Sequence, residues 1–508
     1  MNSLKNDIRR LIFDGSLWMK SDLSKMNLKP CNLEEALEVI NQLAGIIIEL
    51  KKDNDLLREK LNNNSKNSSL PPSQDLKKKK KMHPKSGRKP GGQPGHKASQ
   101  KIIVPLEQVN TIIDCKPSET CDCGGKIRLK DKIEKHQVFD IPVANFETTE
   151  YRIYGGFCTL CHIYHKGKLP NGVSKKGFGP RAQGMTSLLT SKYRLSKRLV
   201  QSWFHDVYKM PMCVGSVSNI EHTVSKALEP IHQEIQTLVQ HEKIINIDET
   251  GYKKCHKSAW AWIMSSSQYT CFILNKSRGR KVAKELIGNF HGRMVITDRY
   301  SAYNYLPDDN HQICWAHLKR DFKKIAERPG EAGKIGNKLL VAYEKLFVFW
   351  KTEHRIELTS SKKQRQRLRY FKNKMLKWLR IGAYCGHDKT ARTCENILDF
   401  SKCLWHFFEM KNVSPTNNHA EQQLRPLVIS KKLTFGTQSE RGSQYIERIF
   451  TIVTTCKQQG RDILLFLVEA VEKYFLGEKS QFLTIASVQL KSSFPQPLPP
   501  KKSIWRKG

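Results

Sequence analysis

From Asn32 to Leu61 the apolar residues recur at alternating steps of four and three. Ala36, Ile40, Leu43, Ile47, Leu50, Leu57 and Leu61 follow this rhythm, with Asn54 taking one of its places. A period of 3.5 predicts a heptad helix over 32–62, with Ile40, Ile47, Asn54 and Leu61 at a and Leu43, Leu50 and Leu57 at d. β-branched residues at a, leucine at d and one asparagine at a favour a parallel dimer, because paired asparagines fix register and strand number. An amphipathic helix packed on its own domain is the plainer reading of the same stripe. Asn32 can cap this helix, with Glu35 three residues on to close a capping box. Ahead of it lies an N-terminal extension, 1–31. After it the periodicity stops: "NNNSKNSSLPPSQDLKKKKKMHPKSGRKPGGQPGHK" (62–97) predicts a flexible basic linker over 63–105. Lys77 to Lys81 suit either phosphate contact without sequence preference or a merely solvated spacer.

Helical periodicity returns over 177–235. "SKRLVQSWFHDVY" (196–208), a break at "KMPMCVG", and "SVSNIEHTVSKAL" (216–228) capped by Ser216 or Ser218 predict two helices with a short turn. In a basic protein this fits a helix-turn-helix, although two packed helices look alike whatever they bind. From 240 the pattern changes to short apolar runs: "IINID", "AWAWIMSS" (259–266), "YTCFILN" (269–275), a helix at 280–288, then "RMVITDRYSAYN" (293–304). Three strands, a helix and a fourth strand match the opening of a ribonuclease-H-like α/β domain. This predicts a first catalytic segment at 240–316. A mostly helical insertion, 317–410, follows. In it, "KQRQRLRYFKNKMLKWLR" (363–380) sets Leu368, Phe371, Met375 and Trp378 on one side and basic residues on the others. A second catalytic segment (411–460), a C-terminal helical region (461–490) and a disordered tail (491–508) complete the expected organisation.

Charge now changes the picture. The formal net charge is +39, from 87 Lys and Arg against 48 Asp and Glu, which points to a polyanionic partner. No run of about 18 apolar residues and no N-terminal signal is visible, so the expectation is a soluble, cytoplasmic protein on the nucleoid, with no membrane partner. Charge spread along the whole chain favours nucleic acid over a membrane surface.

Of 14 cysteines, one group has ligand spacing. Cys121 and Cys123 form C-x-C before two glycines, and Cys158 and Cys161 form C-x2-C. Two pairs of soft ligands suit tetrahedral structural Zn2+, which would fold a module (106–170) too small to bury a core. Cys115 or His162 can substitute for one ligand, and four unliganded thiols are the plainer alternative. "CWAH" (314–317) offers only two ligands; Cys314 is expected in the core, with His317 and Arg320 lining a DNA channel.

The remaining signal is acidic. Asp248 ends the first apolar run of the sheet and Asp298 the fourth, where functional groups of an α/β sheet gather. Adjacent Asp248 and Glu249 point to opposite faces of a strand, so only one can meet a shared ion. Two such carboxylates could hold a hard divalent cation. A third candidate is Glu421 in "SPTNNHAEQQLRPLVISKKLTFGTQSERGS" (414–443). There Thr416 or Asn417 can cap a helix whose polar face carries Asn417, Asn418, Glu421 and Arg425, and Pro426 is expected to end or kink it. A plain Glu–Arg surface pair is the bland reading.

With "NNNSKNSSLPPSQD", "RKPGGQPGH", "CDCGG", "IDETGY", "ITDRYSAYN", "CWAHLKRDF", "NNHAEQQLRPL" and "FGTQSERG" in this order, the chain from about 33 to about 480 resembles transposases of the insertion-sequence-66 family, of Asp-Asp-Glu type. The resemblance implies that Asp248, Asp298 and Glu421 form the catalytic triad, and it implies a zinc module and DNA-binding elements before the core. Thr416 and Gln422 stand where the family usually has Asp and Arg. The expected chemistry is phosphoryl transfer with two Mg2+ (or Mn2+) ions about 3.5–4 Å apart, which cuts transposon ends and joins the 3′-hydroxyl to target DNA. Asn418, Arg425, Lys431, Lys432, Arg441, His317 and Arg320 are the candidate DNA contacts. A homodimer or higher oligomer and accessory proteins of the same element are the further expected partners. The rival readings are a nuclease with the same sheet but no joining step, and a DNA-binding regulator without catalysis.

Overall fold

The computed structural model of the chain describes residues 32–64, 67–68, 103–128, 135–289, 292–353 and 362–482. The N-terminal extension, Lys77 to Lys81 and the tail 491–508 lie outside the described residues. The chain divides into two compact units, residues 1–78 with 232–443, and residues 79–231 with 444–508.

In the first unit, helix α1 (Leu33–Asn62) starts where the sequence puts it. Asn32 Oδ1 accepts the amide of Glu35 at 2.9 Å, which satisfies one of the donors left over in the first turn. Of its a and d side chains, Ile40, Ile47, Leu50, Leu57 and Leu61 are exposed and Leu43 is half-buried. The last turn is held differently. Glu59 forms ion pairs with Lys324 (3.6 Å), Arg328 (3.3 Å) and Lys389. Just beyond, Asn67 is buried: its Oδ1 accepts from Asn64 N at 2.7 Å and its Nδ2 donates to Asn62 O and Glu327 Oε2. The first residues of the expected linker therefore make a docked turn.

In the second unit, the short strands β1 (Gly155–Phe157) and β2 (Tyr164–Lys166) pair antiparallel and are wholly exposed. Helices α2 (Pro180–Ser191), α3 (Lys197–Tyr208) and α4 (Val214–His241) follow. Ser196 caps α3 through its hydroxyl, 3.2 Å from Leu199 N. The expected cap at Ser216 or Ser218 is corrected: α4 begins at Val214 and both serines are helical. Here Cys213 Sγ accepts the amide of Ser216 at 3.3 Å, a role usually taken by an oxygen. Late in the chain come α12 (Glu440–Gln458) and α13 (Ile463–Leu476), numbered after the helices described below. Gly184 of α2 packs on α13, where a Cβ would stand 3.1 Å from Val468 Cγ2. That close crossing is one reason for glycine.

The sheet of the first unit runs β5-β4-β3-β6-β7. β3 (Ile244–Lys254), β4 (Lys257–Ser265) and β5 (Thr270–Asn275) are antiparallel, whereas β6 (Met294–Thr297) and β7 (His311–Ile313) run parallel to β3. Cys255 and His256 connect β3 to β4, both with positive φ, as a two-residue hairpin turn requires. Helix α5 (Arg280–Ile287) bridges β5 and β6 and buries Val282, Ala283, Leu286 and Ile287. β7, only three residues long, was not expected.

After β7 come α6 (Trp315–Ala326), α7 (Gly330–Glu353), α8 (Lys362–Ala383), α9 (Asp388–Asp399) and the short α10 (His406–Glu409). Their apolar faces share a core with the sheet residues Met294, Ile296 and Ile313. Met375 is buried in it, and Leu368, Phe371 and Trp378 pack against it, as the stripe predicts. Trp315 sits at its centre: its indole donates to Leu404 O at 2.7 Å, and its rings meet Trp405, Tyr343, Phe347 and Phe407. Helix α11 (Asn418–Thr434) closes the unit against β3 and β4. Pro426 neither ends nor shortens it. A proline removes one amide donor, and the buried Leu424, Leu427 and Ser430 hold the helix through that gap.

Candidate active site

β3 places Asp248 half-buried and Glu249 buried. The alternation of a strand sends the two carboxylates to opposite faces, and their surroundings differ accordingly. Glu249 Oε1 accepts Arg278 Nη2 at 2.6 Å and Nε at 2.8 Å, and Oε2 accepts the Tyr303 hydroxyl at 2.5 Å. Asp248 keeps one internal bond, Oδ1 to the amide of Glu249 at 2.9 Å. Asp298 lies just past β6, where its Oδ1 accepts the amide of Tyr300 at 2.9 Å.

Glu421 reaches the same neighbourhood through α11. The start of that helix is fastened by Asn417, whose side chain is spent on the sheet. Its Nδ2 donates to Ile247 O at 2.7 Å, its Oδ1 accepts from Asn246 Nδ2 at 2.9 Å, and its amide donates to Cys314 Sγ at 3.1 Å. Asn417 is therefore a buried clamp and does not belong to the exposed polar face expected for it. Glu421 lies one turn beyond Asn417 on the same helix. Its Oε1 is 3.4 Å from Arg320 Nη2.

The electrostatics tie the acids together. The Asp248 carboxyl is pushed well above the usual carboxylate range, first by burial and then by the charges of Glu249, Asp298 and Glu421. His317, on the α6 turn before Arg320, is held below the ordinary imidazole range by burial and by Arg320, against the pull of Asp298 and Glu421. Its Nε2 is 3.1 Å from Arg320 Nη2, and its buried Nδ1 makes no hydrogen bond. Three carboxylates from a strand, a strand end and a helix thus share one field. Their hard oxygen donors suit a divalent cation, and their mutual repulsion is what such a cation would relieve. Among the described residues, no three His, Cys, Asp or Glu side chains already stand grouped around one ion position.

The other expected site residues divide. Asn418, Arg425, Lys432 and Arg441 are exposed, whereas Lys431 is half-buried with Nζ 2.6 Å from Gly251 O. Cys314 is buried, as expected. The "FGTQSERG" segment runs beside the far end of β3: Thr437 N donates to Lys253 O and Cys255 N to Thr437 O. Gly436 has φ +104 and no room for a side chain, since a Cβ would lie 2.2 Å from Lys253 O.

The cysteines form two local knuckles. Cys121 N donates to Gly125 O and Cys158 N to Ile163 O, with Gly124 and His162 at positive φ. The amide and then the thiol of Cys123 hold the Cys121 thiol below its usual range, and the amides of Cys161 and Leu160 do the same for Cys158. Each pair is shaped for thiolate, but the structure does not bring the four sulfurs together.

Arg278 and Tyr303 were not singled out from sequence. A signal existed: an acid beside Asp248 that must face the interior needs a cation, and the loop after β5 supplies one.

Residues 182–445, more than half of the chain, match the family model described as Transposase IS66 family. Residues 23–101 match a family of unknown function, DUF6444. The chain is 24% identical over 245 residues to the uncharacterized protein y4qI of Sinorhizobium fredii (strain NBRC 101917 / NGR234). That match covers 43% of this chain and 44% of the relative, so the chain spans less than half the length of that protein. The family match takes in Asp248, Asp298 and Glu421, and the chain belongs to the IS66 family of transposases.

Proposed function

We propose that this chain is a DNA transposase in which Asp248, Asp298 and Glu421 are the catalytic triad for cleavage at transposon ends and transfer of the 3′-hydroxyl into target DNA. The observation that carries the reading is the family match over the three acids, with Asn417 tying the start of the Glu421 helix to Ile247 O, one residue from Asp248. The strand order, three antiparallel strands flanked by two parallel ones, supports a ribonuclease-H-like sheet. Mg2+ or Mn2+ held by the three carboxylates would supply charge neutralisation at the reacting phosphate and activate the attacking oxygen. The chain's own groups do the rest. Asn417 fixes α11 to β3, and Arg320 steadies Glu421. His317 lies beside them, held below the ordinary imidazole range by burial and Arg320, and Glu249 is kept out of the ligand set by Arg278.

Exposed Asn418, Arg425, Lys432 and Arg441 are the favoured DNA contacts, and Lys431 is better read as a clamp on β3. The exposed stripe of α1 supports pairing of two copies, which would bring two transposon ends together. The two knuckles support a structural Zn2+ held by Cys121, Cys123, Cys158 and Cys161, whose binding would draw the pairs together. Among the described residues no helix is long and apolar enough to cross a membrane.

Glu421→Gln tests the central assignment. With Mg2+ present, the variant should bind transposon ends like the parent and neither cut them nor join pre-cleaved ends to target. A variant that still cuts and joins would refute the triad. A parent that cuts but never joins would make the protein a nuclease.

A further inference from the structure

We propose that Arg278 is a positioning residue that sets Asp248 and Asp298 relative to each other. The inference rests on the transposase reading for its consequence, but the geometry stands without it. Each aspartate accepts one backbone amide: Asp248 that of Glu249, and Asp298 that of Tyr300, both at 2.9 Å. The side chains of these two donor residues are gripped by the same guanidinium. Arg278 gives Glu249 Oε1 two hydrogen bonds, and it lies over the Tyr300 ring with its carbon 3.7 Å from the centroid. The Trp260 ring lies 4.6 Å from the same carbon. Tyr303 closes the loop by donating its hydroxyl to Glu249 Oε2.

The Arg278 loop is itself anchored. Trp262 Nε1 donates to Ser277 O at 3.1 Å, and the Ser277 hydroxyl accepts Gly279 N at 2.9 Å where α5 begins. A planar, fork-shaped cation can bond an acid through its edge while stacking on a ring through its face. Lysine cannot do both. The result is a continuous path from one aspartate to the other: Asp248, Glu249 amide, Glu249 carboxylate, Arg278, Tyr300 ring, Tyr300 amide, Asp298. No group on that path other than the two aspartates is needed for the chemistry. Its effect is geometric, and groups that orient metal-binding carboxylates typically matter about 10–100-fold for metal affinity.

The experiment compares the full-length parent with Arg278→Lys, with the double variant Glu249→Gln/Arg278→Met, and with Asp298→Asn. The double variant leaves no uncompensated buried charge, so it remains readable should a single change to Met fail to fold. Amide hydrogen exchange is followed over 298–303 in protein alone, and cleavage is followed as Mn2+ is titrated. Exchange at 298–303 should quicken about tenfold or more in both Arg278 variants, with β4 and β5 unchanged. The Mn2+ concentration for half-maximal cleavage should rise about tenfold or more, with affinity for transposon ends unaltered. Parent-like exchange in both variants, or an equal quickening throughout the sheet, overturns the proposal. Intact cleavage in Asp298→Asn overturns the triad instead, and the exchange measurement still decides the role of Arg278.

Discussion

The acids and the cysteines of this chain present the same problem and meet it differently. Asp298 and Glu421 are separated by more than a hundred residues, yet the fold puts both within electrostatic reach of Asp248. Cys123 and Cys158 are far nearer in sequence, and their sulfurs stay in separate pairs. Buried apolar surface explains the contrast. The sheet sits in a core that includes Ile245, Ile247, Trp262, Ile296, Trp315 and Phe322, all fully covered. In the cysteine segment Val138, Phe139, Ile141, Val143, Tyr154, Phe157 and Leu160 are exposed. Where a core exists, acids remote along the chain are brought into one neighbourhood. Without one, a bound ion must do the placing.

The largest expected effect follows for the cysteine segment. Zinc analysis of purified protein should find about one ion per chain, and chelation should unfold 106–170 while sparing the sheet, because structural zinc typically supplies roughly 10 kcal/mol or more. Cys158→Ser should lose the ion. Far-ultraviolet dichroism and proteolysis mapping read the outcome. Metal-free protein with an ordered, protease-resistant 106–170 would break the comparison.

The opposite half is tested by Trp315→Ala. Its indole has partners on several sides of the core. Its loss should cost about 3–5 kcal/mol in denaturant unfolding of the sheet unit. Leu160→Ala, at a position 91% exposed, should cost under about 0.5 kcal/mol. Asn417→Ala comes next. It strips Ile247 O and Asn246 of their partner and should cost about 2 kcal/mol. Cleavage should fall with it, since a helix start displaced by even about 1 Å would carry Glu421 out of place. Unchanged stability would mean the clamp adds nothing to the packing of α11.

The same physics explains what could be read from sequence. β3, β4, β5, α5 and β6 announced themselves because each has its own apolar period; Asp248 and Asp298 closed two of the apolar runs, whereas Glu421 stood on the polar face of a helix. β7 is three residues long, too short for a period, and was missed. The Ser216–Ser218 cap was misjudged by a local rule that a cysteine sulfur overrides, and Pro426 does not end α11, where tertiary packing carries the helix past it. Arg278 was harder to pick out: in a chain with 87 basic residues, one arginine in a loop stands out only once strand alternation is taken to turn Glu249 inward.

A modest effect is expected at Glu59, where α1 meets the sheet unit's helices. Burial alone would raise its carboxyl. The hydrogen bond from Lys389 and the charge of Lys324, with further help from Arg328, overcome that and bring it from 4.5 down to about 2. A folded value below the unfolded one means the contribution is fully present above about pH 4.5 and fades as pH falls toward 2. Side-chain exposure of 19% leaves some screening, so its size should be on the order of 1–2 kcal/mol. The parent should therefore exceed Glu59→Gln in stability by that amount near neutral pH, with the gap closing in acid. Gel filtration should find the same oligomer for both, because the exposed stripe of Ile40, Ile47 and Leu50 is untouched. If the gap is absent at neutral pH, the three cations only replace solvation that Glu59 would find in water. The docked turn would then rest on its hydrogen bonds, those of Asn67 among them.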